Sequence, residues 1–173
     1  MKRFTILAML LTASAFALQS AIASTTASIT GRFHESYPKS GPPNCFTGNP
    51  CGIGELHGYG QAAESFDLEG IDGRDANGCV HVHGTTTITL NDAQRSSFHV
   101  TERDVGCHPG DSHQAPGHFN SYGNPETFSG TWGFDPGTGT GVFAASCGGS
   151  GVDTATFSGS DGSVDYSGSL TLC

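Results

Sequence analysis

Past the first two dozen residues, the apolar positions have no helical period. Short runs rich in Thr, Ser, Val, Ile and Phe alternate with clusters of Gly, Asp, Asn and Pro. This pattern predicts strands over 25–33, 54–68, 78–90, 95–105, 126–134, 149–159 and 163–172. The run 54–68 is long enough to be two strands or one bent strand. Seven or eight short strands with glycine turns imply an all-β, antiparallel barrel or sandwich.

Two hairpins can be put in register. Turning the chain at 91–95 pairs Leu90 with Ser96 and brings Cys79 opposite Cys107. Val80, Val82, Ile88, Leu90, Phe98 and Val100 then share one face. Cys79, His81, His83, Thr85, Thr87, Thr89, His99, Thr101 and Arg103 share the other. The second hairpin is read from Asp161-Gly162, a strong two-residue turn signal. It places Ser163 beside Ser160, Tyr166 beside Phe157 and Cys173 beside Ser150. Val164, Tyr166, Leu170 and Leu172 join Ala155 and Phe157 on its apolar face.

The stretch Gly139-Thr-Gly-Val-Phe-Ala-Ala-Ser-Cys-Gly148 tips the choice toward a barrel. Its glycines permit a tight turn, and Phe143 offers a large apolar anchor. It resembles the G-[ST]-G-x-F-x-x-x-x-G turn of the allene oxide cyclase and dirigent barrels, including secreted bacterial proteins of that fold. The resemblance implies an antiparallel barrel around an apolar pocket, with a small apolar ligand and no cofactor. It supplies no catalytic residue, because the matched positions are structural.

The N-terminus reads as a secretory signal over residues 1–23. Lys2 and Arg3 precede an apolar run, and Ala21-Ile22-Ala23 is a small-x-small cleavage site. Residues 24–173 then form a single barrel domain, either extracellular or periplasmic. With Lys2 and Arg3 set aside, five basic residues face sixteen acidic ones, a formal charge of −11. That disfavours nucleic acid and anionic membrane surfaces as partners, since both need basic patches.

Six cysteines in an exported chain read as three disulfides. The first hairpin predicts Cys79–Cys107. The bend at Gly148-Gly149 can bring Cys147 to Cys173, and Cys45 and Cys51 can close a small ring. Two segments read as loops: 37–50, and 106–125 with its three histidines.

His81 and His83, two apart on a strand, point the same way. Imidazoles so placed can share zinc or copper, with His108 as the nearest third ligand. The simpler alternative is that they face water on the polar side of the hairpin. Asp67, Glu69, Asp72 and Asp75 read as a solvated acidic turn. No nucleophile elbow, phosphate loop or zincin helix is present. Three function classes follow: a secreted binding or accessory barrel, a cofactor-free isomerase or cyclase, and a histidine-based metal protein. A pocket with one or two buried carboxylates would favour the second.

Overall fold

The computed structural model describes residues 24–36, 51–77, 79–107, 126–158 and 161–173. Its strands are β1 (Thr25–Ser36), β2 (Cys51–Leu56), β3 (Gly60–Arg74), β4 (Val80–Leu90), β5 (Ser97–Cys107), β6 (Glu126–Phe134), β7 (Ser146–Ser158) and β8 (Asp161–Leu172). Each strand pairs antiparallel with the next, and β8 returns to β1, closing an eight-stranded barrel. The predicted run 54–68 divides at His57–Tyr59 into the end of β2 and the start of β3.

The β4–β5 hairpin has the register read from the sequence. Val80 lies opposite Gly106 and Thr89 opposite Ser97, with the valines and Phe98 turned inward. Cys79 and Cys107 are bonded, with Cα atoms 4.4 Å apart, the spacing of a close antiparallel pair. Cys147–Cys173 is also formed, at 5.9 Å. Cys51 is disulfide-bonded as well, while Cys45 lies outside the described residues. So does the signal sequence. Among the described residues no helix is long and apolar enough to cross a membrane.

Two readings need correction. Asp161 and Gly162 are not a turn but the first residues of β8, paired with Ser158 and Phe157. Tyr166 therefore lies beside Asp153, and Ser169 beside Ser150. The reason is volume. A Cβ on Gly162 would meet the Phe157 ring, so this glycine makes room for a side chain rather than bending the backbone. The slip is four residues, an even number, so Ala155, Phe157, Val164, Tyr166 and Leu170 remain on the buried face. Three acids of the supposed acidic turn, Asp67, Glu69 and Asp72, likewise lie on strand, since β3 runs to Arg74 with irregularities at Leu68/Gly70 and Ile71/Gly73. Only Asp75 belongs to a turn, its carboxyl accepting from the Asn77 and Cys79 amides.

The 139–148 stretch docks by its aromatic residue. Gly141 has φ +55° and opens a single 3-10 turn, Gly141–Phe143. Ser96 Oγ accepts from the Val142 amide at 3.1 Å and donates to Asp92 at 2.6 Å, tying this turn to the β4–β5 connection. Phe143 is buried against Phe98 and Tyr59, with ring centroids 4.6 and 5.0 Å away. Phe143→Ala should cost ~3–5 kcal/mol, as truncation of core phenylalanines does. Urea melts check this, and a loss under ~1 kcal/mol would mean that the turn does not hold that end of the barrel.

Candidate functional site

The barrel interior has two halves of opposite character. At the Phe143 end, Ile29, Leu56, Ile88, Phe98, Trp132 and Leu170 fill the space. The cavity left among Ile29, Leu56, Ile88, Phe98, Val100, Trp132 and Tyr166 is about 10 Å³. The other half lies toward the end where β1 and β5 finish and β2 and β6 begin. Here Glu35, Glu64, Glu102, Asp104 and Asp153 are all buried, together with Tyr166. A cavity of about 50 Å³ is bordered by four of these acids, by Tyr166 and by the rings of Phe66, Phe128 and Phe157.

The same local device places four of the five carboxylates. On β5, β6 and β7 the register runs Asp104, Gly130, Asp153. On β1, β2 and β3 it runs Glu35, Gly52, Glu64. In each case a glycine separates two acids across three neighbouring strands. A Cβ on Gly130 would overlap the Asp104 carboxylate, and one on Gly52 would stand 2.8 Å from Glu64 Oε1 and 3.0 Å from Glu35 Cγ. The missing side chain lets the flanking carboxyls fold over the middle strand and meet. Glu102, two residues before Asp104, points inward on the same strand opposite Trp132.

Among the described residues, no Lys, Arg or His is buried beside these acids. Burial is therefore the first cause of every shift. It pushes Glu35 and Asp104 up to about 7 and Asp153 to about 6. Glu64 and Glu102 are raised well above the usual carboxyl range by burial and then by the neighbouring acids. Tyr166 is raised for the same reasons. The Asp104 and Asp153 carboxyls act on each other, as those of Glu35 and Glu64 do, and Tyr166 acts on Glu64 and Glu102. Both oxygens of Glu64, and one each of Glu102, Asp104 and Asp153, are buried with no hydrogen bond of good geometry.

The histidines lie elsewhere. His81 and His83 are on the outer face of β4, and His81 is exposed. His83 Nδ1 is 2.8 Å from Asp72 Oδ1, and Asp72 also receives Arg103 at 3.5 Å. His108 lies outside the described residues. Among those described, no third ligand joins the pair; the group of metal-capable side chains whose ligand atoms lie within 4.8 Å of one another is Glu102, Asp104 and Asp153. These acids escaped the motif-based reading, but a signal was present. In the β4–β5 register Glu102 and Asp104 have the parity of Phe98 and Val100, so the apolar face contains two acids. No family model, curated protein or solved structure matches this chain.

Two predictions follow from this arrangement. Gly130→Ala should displace the Asp104 carboxyl and cost ~1–3 kcal/mol as an overpacked interior. Gly133→Ala, on the same strand with nothing within 4 Å of its Cβ, should be neutral or stabilising. Equal losses in urea melts would refute the spacing role of Gly130.

The second concerns pH. A carboxyl whose folded pKa exceeds its unfolded value keeps a proton on folding that the unfolded chain would release. Its stabilising contribution is complete below about pH 4 and is lost as pH rises through about 7. In the presence of chelator, stability should therefore fall by a few kcal/mol from pH 5 to pH 8, at about 1.4 kcal/mol per pKa unit. Asp104→Asn should flatten that slope. The lowered carboxyls, Asp92 and Asp165, titrate below this window and do not confuse it. A curve that is flat or rising from pH 5 to pH 8 would contradict the assignment.

Proposed function

We propose that this chain is an exported binding or accessory barrel whose ligand is a small cation held in the acidic half of its interior. The observation that carries this reading is the set of five buried carboxylates with no buried basic partner among the described residues. Buried charge of one sign is costly unless something compensates it. Protons can do so, and so can a cationic ligand, which would exchange with them. The even cysteine count and the basic-then-apolar N-terminus support export. The Gly139–Gly148 turn supports kinship with the allene oxide cyclase and dirigent barrels.

A second reading has one observation in its favour. Carboxyls that titrate near neutrality, such as Asp104 and Asp153, suit general acid–base work. A cofactor-free isomerase would use them as a proton-sharing pair. Pockets for organic ligands typically run to ~300–1,000 Å³, and a more open cleft of about 360 Å³ lined by Asp72, His81, Arg103 and Asp104 has that size, but only Asp104 of the five buried acids borders it. The described cavity of about 50 Å³ suits an ion with its water.

The test is thermal denaturation at pH 7.5 against a panel of monovalent, divalent and small ammonium cations. A ligand at about 100 times its Kd should stabilise the barrel by ~2.7 kcal/mol. That gain should vanish in Asp104→Asn. If no cation shifts the transition, or if the shift survives Asp104→Asn, the reading fails.

A further inference from the structure

We propose that Glu102, Asp104 and Asp153 form a binding site for an oxygen-seeking divalent cation, calcium or a close analogue, inside the barrel. This deepens the preceding reading and rests on it.

The geometry comes first. The three residues offer carboxylate oxygens that all lie within 4.8 Å of one another. Oxygens around a common ion at ~2.3–2.6 Å are separated by distances of this order. The donor set is carboxylate alone, which suits calcium, magnesium or manganese rather than zinc or copper. Trp132 and Val82, the cross-strand neighbours of Glu102 and Asp104, leave the two carboxylates as the polar groups on this part of the inner face of β5.

A second observation is independent of the triad. Glu64 is 2 % exposed, and neither of its carboxyl oxygens has a hydrogen bond of good geometry, though Tyr166 and Glu35 lie near enough to act on it. It is turned toward the same interior, where its charge and that of Glu102 act on each other. Buried side-chain oxygens normally find partners. Each triad member keeps one buried oxygen without a hydrogen bond of good geometry, and all three residues border the same cavity. The adjoining cavity of about 50 Å³ has room for water to complete the coordination, since one water occupies ~30 Å³ in the liquid.

Gly130 is part of the site. It carries no ligand atom, but its missing side chain allows Asp104 and Asp153 to converge. The Glu35–Gly52–Glu64 triplet repeats the device on the opposite run of strands.

The experiment uses the purified chain with its disulfides intact, treated with chelator and dialysed. Calcium, magnesium, manganese and zinc are titrated separately by calorimetry at pH 7.5. Terbium(III), a calcium-sized probe, is followed by luminescence excited through Trp132, the chain's single tryptophan. One-to-one calcium or manganese binding is expected, with sensitised terbium emission that calcium displaces. Asp153→Asn should weaken binding at least about tenfold, the scale set by losses even of outer-shell partners. Glu64→Gln gives a second, conservative variant should the first fold poorly; it should weaken binding less than loss of a triad member.

Absence of binding by calcium, magnesium and manganese at millimolar levels would overturn the proposal. So would affinity unchanged in both variants. Binding of zinc alone, abolished by His83→Ala and untouched by Asp153→Asn, would move the metal to the outer face and also overturn it. If ammonium ions stabilise the barrel in an Asp104-dependent way while the divalent ions do not, the metal assignment falls and the cation-binding reading stands. If neither class acts, both fall.

Discussion

The volume inside an eight-stranded ring governs most of what this protein does with its sequence. A barrel of this strand number is just wide enough for inward side chains to fill it. Every large group aimed inward therefore needs a small one nearby. Trp132 lies over Gly151 and Gly168, Phe128 over Gly106 and Phe157 over Gly162. The same exchange sets Asp104 and Asp153 around Gly130, and Glu35 and Glu64 around Gly52. Many of the chain's glycines are thus spacers on strands, and the features that look most like punctuation are part of the interior packing.

That dual use explains what could be read in advance and what could not. The β4–β5 hairpin was legible because two signals agreed: alternation of apolar residues and a cysteine pair arriving in register. The β7–β8 hairpin was misplaced because Asp161-Gly162 carries a strong turn signal locally. Closure of the ring and the Phe157 ring override it. The faces survived because parity is all that burial demands, and the slip was even. The Phe143 anchor was legible from a single large apolar residue flanked by glycines.

The acidic interior was legible only through parity. Glu102 and Asp104 alternate with Val100 on β5, Asp153 with Ala155 on β7, and Glu64 with Ala62 on β3. In isolation each acid on such a strand reads as an exposed position or a strand end. Their convergence depends on strands far apart in sequence being brought together by closure, which no local pattern encodes. The histidines drew attention for the opposite reason: their spacing is locally suggestive, yet the strand turns them outward, where His83 meets Asp72.

The two halves of the interior divide the work of folding and function. The apolar half, sealed by Phe143 and Trp132, supplies burial that does not depend on pH. It can stabilise a ring whose other half is electrostatically unfavourable. Replacing Glu64 and Glu102 with apolar residues of similar size would remove the desolvation cost and should yield a more stable protein. That the chain instead carries five acids there, with glycines shaped to two pairs of them, is hard to reconcile with stability as their purpose. Such a local conflict between folding and chemistry is where a functional site is expected. The cost falls on the half of the barrel where β1 and β5 end and β2 and β6 begin.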